Sequence, residues 1–233
     1  MKDLSKLEAI IGCTFKNIKL LEQSLVHRSY LNEHPDFPLK HNERMEFLGD
    51  AVLELAVTRY LFQKFPNKSE GELTNWRASL VKSETLADTA ESIDLNDFLY
   101  LSRGEAKDTN SKARRYILAN ALEALIGAIY LDQGFEAAEK FIGSFLLTKL
   151  DDILQNHLYL DPKSRFQEKS QEIAGITPHY KVLSESGPDH AKRFNIGVFL
   201  GDDEIAVGEG ASKQEAEESA AQRALKAKDW NGT

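Results

Sequence analysis

The spacing of the apolar residues changes once along this chain, near residue 160, and that change rules out a single uniform architecture. Up to residue 153 they recur every three or four positions. Leu20, Leu21, Leu25 and Val26 form one such set, and Met45, Phe47, Leu48, Val52, Leu55, Ala56 and Tyr60 form another. Spacing of this kind draws an apolar stripe along a helix. Ser69 with Glu72 three residues later has the form of a capping box, opening a helix through Leu73, Trp76, Leu80 and Val81. Further helices are expected from near Tyr116 through Gly127 to Ile129, and over residues 135–154. Strand-like alternation is missing, so this half reads as all-α.

Beyond Leu160 the period shortens. Asp161-Pro162-Lys163 opens a helix (166–174), with proline near the first turn where its missing N–H costs nothing. Three strands are expected at 179–186, 193–200 and 204–209. The middle one alternates as Phe194, Ile196, Val198, Leu200. Gly187-Pro188-Asp189-His190 and Gly201-Asp202-Asp203 supply the turns. An alanine-rich helix over 212–227 completes an α-β-β-β-α order. The expected organisation is multi-domain: an all-α domain over 1–154, a linker at 155–160, and a small α+β domain over 161–230.

Composition narrows the function classes. Hydrophobic residues make up 42% and charged residues 28% of the 233, as in ordinary globular proteins. Cys13 is the only cysteine, so no intrachain disulfide can form, which fits a reducing cytoplasm. No apolar run approaches the roughly 18 residues of a membrane span, and the opening residues lack a secretory core. A cytoplasmic location without membrane partners is the expectation. Net charge is −8, and residues 161–233 carry 10 Lys and Arg against 13 Asp and Glu. A basic domain, the usual footprint of phosphate binding, is therefore missing, and any contact with nucleic acid must come from local clusters.

The chemistry concentrates in two helical stretches. In His41-Asn42-Glu43-Arg44-Met45-Glu46-Phe47-Leu48-Gly49-Asp50, Glu46 and Asp50 stand four apart and share a helix face. Alone, such a pair usually marks a solvated surface. Here apolar residues flank both acids and no basic residue occupies the adjoining turns. Crowded carboxylates stay ionised most readily around a divalent cation. Asn120 and Glu123, three apart, share a face of an otherwise apolar helix, where a charged glutamate needs a partner or a metal; a solvated helix edge is the alternative. No Cys/His pattern has zinc spacing and no Gly-rich phosphate loop exists, which argues against zinc catalysis and against a nucleotide cofactor. His27, beside Arg28 and Ser29, is expected to hold structure by hydrogen bonding rather than to act in acid–base chemistry.

Asn42-Glu43-Arg44-Met45-Glu46-Phe47-Leu48-Gly49-Asp50 closely resembles the ribonuclease III signature. The resemblance extends to Leu25-Val26-His27-Arg28-Ser29-Tyr30, Glu70-Gly71 with Arg77-Ala78, Arg103-Gly104-Glu105 and Glu123-Ala124-Leu125-Ile126-Gly127-Ala128. It implies a magnesium-dependent endonuclease of double-stranded RNA, with manganese a possible substitute, that processes ribosomal precursors and structured messengers. Glu46, Asn120 and Glu123 would be metal ligands, with Asp50 and Glu123 catalytic and Asp50 orienting the attacking water. Glu43 and Glu70 match secondary acidic positions, and Arg103 an RNA contact near the cut. The family works as a homodimer, each subunit cutting one strand, and Phe47 would belong to the apolar dimer contact. One departure stands out: the family usually has Asp where this chain has Asn120. An amide oxygen can still face Mg²⁺, with one negative charge fewer. An active enzyme is expected; the alternative is a catalytically weakened relative that binds duplex RNA or assembles on it.

The C-terminal order of elements resembles the double-stranded RNA-binding domain, which reads the shape of the A-form duplex through its minor grooves and phosphates. The resemblance implies RNA contacts from Ser164, Gln167 and Glu168 on the first helix, from Pro188, Asp189 and His190 in the first turn, and from Lys213 at the start of the last helix. Gln214, Glu215, Glu217 and Glu218 follow Lys213 where the family often has further lysines. Modest binding is expected, weaker and more salt-sensitive than that of a lysine-rich relative.

Overall fold

A computed structural model describes residues 2–108, 111–188 and 192–230, and the chain divides into two compact units, Met1–Asp151 and Asp152–Thr233. In the first unit α1 (Leu4–Ile11), α2 (Ile18–Ser24) and α3 (Arg28–Glu33) lead into the long α4 (Glu43–Lys64). Then come α5 (Glu70–Val81), α6 (Ser83–Ser92), α7 (Leu95–Phe98) and α8 (Arg103–Lys107). A second long helix, α9 (Lys112–Gln133), precedes α10 (Phe135–Phe145) and a 3₁₀ turn (Leu147–Lys149), and α11 (Leu150–Gln155) runs across the boundary between the units. Among the described residues no helix is long and apolar enough to cross a membrane.

Local chemistry accounts for the helix ends. Ser69 accepts from the Glu72 amide while the Glu72 carboxylate accepts from Ser69 N, the reciprocal box read from the sequence. α9 begins at Lys112, four residues before the expected start, because Ser111 Oγ caps the Arg114 amide at 3.1 Å. The expected continuous helix over 135–154 is broken after Phe145. Gly143 weakens that turn, and the Ser144 and Thr148 hydroxyls donate back to the Lys140 and Phe145 carbonyls, which favours bending over regular winding. The all-α unit also holds one strand-like contact, where Val26 pairs in parallel with Tyr100.

The core of this unit lies between α4 and α9. Val52, Leu53, Ala56 and Val57 on α4 are buried with Leu122, Leu125, Ile126 and Ile129 on α9. Two glycines set how closely these helices cross. A Cβ added to Gly49 would overlap the Glu123 carbonyl oxygen, and one added to Gly127 would overlap the carbonyl of Met45. The start of α4 is pinned separately: buried Asn42 donates from its amide side chain to Ser24 O at 3.0 Å and from its backbone to Val26 O at 2.9 Å.

In the second unit α12 (Pro162–Ala174) is followed by β1 (His179–Ser186), β2 (Arg193–Leu200), β3 (Asp203–Gly210) and α13 (Lys213–Ala227). Asp161 caps α12 through the Lys163 and Ser164 amides, and Gly175 ends it at φ 68°, a left-handed conformation that suits glycine. The strands form an antiparallel sheet in the order β1-β2-β3. Phe166, Val198, Leu200, Ala220, Ala221, Ala224 and Leu225 form its core. The small alanines of α13 let Gly208 of β3 lie directly on that helix.

Candidate active site

Because Gly49 backs onto the Glu123 peptide, the acids on either side of that contact are brought to one place. Glu46 and Asp50 approach from α4 and Glu123 from α9. Burial raises the Glu123 carboxyl to about 8, with the charges of Asp50 and then Glu46 adding to the rise. The Glu46 carboxyl is also raised, by burial first and then by Glu43 and Asp50. Glu46 and Glu123 thus feel their acidic neighbours. Among the described residues, none of Glu46, Asp50, Asn120 and Glu123 has a side-chain hydrogen bond or ion pair, nor do any three His, Cys, Asp or Glu side chains close into a ready cation cage.

Glu46 and Glu123 are half-buried, whereas Asp50 is exposed. Asn120 is half-buried one turn before Glu123. The donors are carboxylate and amide oxygens, hard ligands of the kind that magnesium or manganese takes. Like charges crowded at a helix crossing are costly on their own, and a divalent cation relieves that cost.

The other expected positions fall around this cluster or apart from it. Glu43 joins it electrostatically while lying 3.7 Å from both Arg28 and His41. Glu70 stands at the first turn of α5, accepts from Thr74 Oγ1 at 3.2 Å, and lines a separate groove of about 390 Å³ with Phe62 and Arg77. Arg103 is exposed, and both oxygens of Glu33 accept from its backbone N–H at 3.2 Å. His27 takes the structural role expected of it. Its Nδ1 accepts from Ser29 N to cap α3 and lies 2.8 Å from Ser29 Oγ, which in turn accepts from Ser102 N. The segment carrying Arg103 is thereby tied to α3. Phe47, read as part of an apolar helical set, lies outside the core: it is 81% exposed and continues into Leu55 and Phe62, 58% and 71% exposed, along one face of α4.

In the second unit Gln167 and Glu168 are exposed on α12, and Ser164 Oγ donates to Asp161 within the helix cap at 2.6 Å. Pro188 is exposed; Asp189 and His190 lie outside the described residues. Lys213 opens α13, where Ser212 caps the Glu215 amide. Its ammonium lies 3.8 Å from Glu185, Lys192 lies 3.4 Å from the same carboxylate, and Lys163 is 2.5 Å from Glu217.

Two kinds of functional residue escaped the sequence reading. Gly49 and Gly127 were legible as mid-helix glycines, which cost helix stability unless something approaches closely. Glu33 and Glu185 gave no local signal, since their partners are far away in sequence or across a strand pair.

Both units are similar to known proteins. A family model described as Ribonuclease-III-like matches residues 17–150, and one described as Double-stranded RNA binding motif matches residues 162–228. Ribonuclease 3 of Carboxydothermus hydrogenoformans is 46% identical over 224 residues, covering 96% of this chain and 95% of that protein. Ribonuclease 3 of Campylobacter fetus is 44% identical over 97% of this chain and 98% of its own length. Among solved structures, a nuclease domain of ribonuclease III from Campylobacter jejuni, studied for a region involved in dimer formation, matches with a TM-score of 0.55 at 39% identity. That match covers 63% of this chain and 97% of that one.

Proposed function

The chain belongs to the ribonuclease III family, and from that premise we propose that it is a double-strand-specific endoribonuclease whose reaction centre is the Glu46, Asp50, Asn120 and Glu123 cluster. The observation that carries this reading is the set of mutually repelling, unpaired carboxylates that two helices hold together where Gly49 meets Glu123. Glu46, Glu123 and the amide oxygen of Asn120 would hold Mg²⁺, with Mn²⁺ a substitute. Bound there, the cation supplies charge neutralisation at the phosphate and lowers the pKa of water for hydrolysis.

The chain's own groups do the remainder. Asp50, exposed at the mouth of the cluster, accepts a hydrogen bond from the attacking water and aims its lone pair at phosphorus. Glu43 adds negative potential that draws the cation, and Arg103 binds the phosphate backbone beside the cut. Hydrolysis leaves a 5′-phosphate and a 3′-hydroxyl. The exposed Phe47, Leu55 and Phe62 face supports a homodimer, since apolar side chains this exposed along one helix are costly in water. In such a dimer each subunit would cut one strand. Lys213, the exposed α12 residues Gln167 and Glu168, and the Pro188 turn would hold the duplex by shape and phosphate.

The alternative, a relative that binds without cutting, rests on Asn120 alone and leaves three unpaired carboxylates without a purpose. A long RNA duplex incubated with the full chain is the test. Cutting in Mg²⁺ and none in chelator is expected, with 5′-phosphates at the new ends. Equal cutting in chelator, or no cutting at any Mg²⁺ concentration, would reject the reading.

A further inference from the structure

In the RNA-binding unit, one carboxylate occupies the space between two lysines that come from different parts of the fold. Glu185 sits near the end of β1, paired across the sheet with Phe194 of β2. Its Oε2 lies 3.4 Å from the Lys192 ammonium, just ahead of β2, and its Oε1 lies 3.8 Å from the Lys213 ammonium, in the first turn of α13. Both ammonium groups also lie 5.9 Å from the centre of the Phe194 ring. A single acid thus bridges two cations, with an aromatic ring as the common floor. A second acid, Glu215, accepts from the Ala211 amide at 2.8 Å beside the same helix start.

This arrangement resembles what an RNA phosphate would find there: two ammonium groups at the positive end of a helix, each able to approach one oxygen. Glu185 presents two oxygens in that role. We propose that Glu185 sets the affinity of the chain for duplex RNA, by holding Lys192 and Lys213 in place of a phosphate until the duplex displaces it. The inference rests on the reading of Lys213 as a phosphate contact. All three side chains are partly exposed, so each ion pair is weak and readily opened. Glu185 therefore tunes binding rather than blocking it. After displacement its charge stays near the phosphate, and salt screens that repulsion.

The test is duplex-RNA binding by the full chain, in chelator so that nothing is cut, followed by fluorescence anisotropy from about 0.05 to about 0.3 M salt. Glu185→Gln is expected to tighten binding roughly three- to fivefold at the lowest salt, the range that exposed pairs of this strength supply. The gain should shrink as salt rises, making the dependence of log K on log salt steeper. Glu204→Gln, which removes the same charge from an exposed acid at the start of β3, controls for net charge and should tighten binding less than twofold. With Lys192 and Lys213 both changed to Met, Glu185→Gln should gain no more than that control. A gain equal to the control's, or one that survives without the lysines, overturns the inference. Lys213→Met separates the two levels. If it weakens binding while Glu185→Gln does nothing, only the role of Glu185 fails. If it leaves binding unchanged, the phosphate reading fails and takes this inference with it. An unchanged melting temperature for each variant checks that the fold is intact.

Discussion

At the crossing of α4 and α9, Glu46, Asp50 and Glu123 stand together and, among the described residues, form no ion pair, whereas in the second unit Lys163, Lys192 and Lys213 each stand next to an acid. The first arrangement holds repulsion in place, because the helix backbones do not let the acids separate. The second holds attraction, because flexible lysine stems reach whatever acid is near. A divalent cation arriving at the first site therefore relieves a cost. An RNA phosphate arriving at the second must compete for what is already paired. The same electrostatics favours one partner and opposes the other, and a net charge of −8 alone would have hidden that difference.

The sharpest way to break the contrast is Glu123→Gln. It removes a carboxyl group from the cluster and should lower cleavage on the order of 10³-fold at saturating Mg²⁺, as loss of several kcal/mol of transition-state stabilisation would. Duplex binding in chelator should be unchanged. Single-turnover cleavage beside a binding titration reads both, and cleavage within tenfold of wild type would remove Glu123 from the reaction centre.

Next in size are the two helix contacts. Gly49→Ala would push a methyl group into the Glu123 carbonyl and should destabilise the first unit by about 3 kcal/mol, a typical cost of overpacking. Gly208→Ala would push one into α13 at Ala216 and Ala220 and should weaken only the second unit. Calorimetry that showed either change lowering both transitions equally would mean the units do not melt as separate bodies.

Asn120→Asp adds the charge that the repelling cluster lacks. Cleavage at limiting Mg²⁺ should rise by about tenfold, and at saturating Mg²⁺ by much less, since a further carboxylate mainly strengthens cation binding. A gain of several orders of magnitude at saturation would show that the amide is not a competent ligand.

The smallest expected signal is a pH effect on the metal-free protein. Burial and neighbouring acids raise Glu123 to about 8 in the fold, above its ordinary value of 4.5. Between those pH values the unfolded chain ionises this group while the folded chain keeps its proton. The folded state then binds more protons, so stability falls as pH rises through that window. The melting temperature of the metal-free chain should decline there, and that of Glu123→Gln should decline less. Identical curves would separate the raised pKa from stability.

Much of this was legible in the sequence where the cause is local. The Ser69–Glu72 box needs only its own turn, and the alternation from Phe194 to Leu200 needs only one buried sheet face. The i, i+4 spacing of Glu46 and Asp50 placed both on one helix, and Asn120 with Glu123 on another. What spacing could not say is that the two helices meet back to back, which depends on the missing side chains of Gly49 and Gly127. Nor could it say that Asp50 would be exposed while Glu46 is half-buried, since exposure depends on what the fold packs against each position. The break after Phe145 comes from hydroxyl groups competing for backbone carbonyls, which apolar periodicity does not register. The bridging of Glu185 is further from view, because it joins residues that only strand pairing and the start of a later helix bring together.

The backbone contact between Gly49 and Glu123 has a consequence for how this protein loses activity. Amide hydrogens near such a contact exchange with solvent only when the surrounding cooperative unit opens as a whole. The acids at the crossing are thus anchored to packed helix backbone, which should exchange slowly, rather than to a loop that opens on its own. Heat or denaturant should leave the nuclease working until its domain gives way, with inactivation and melting sharing one midpoint.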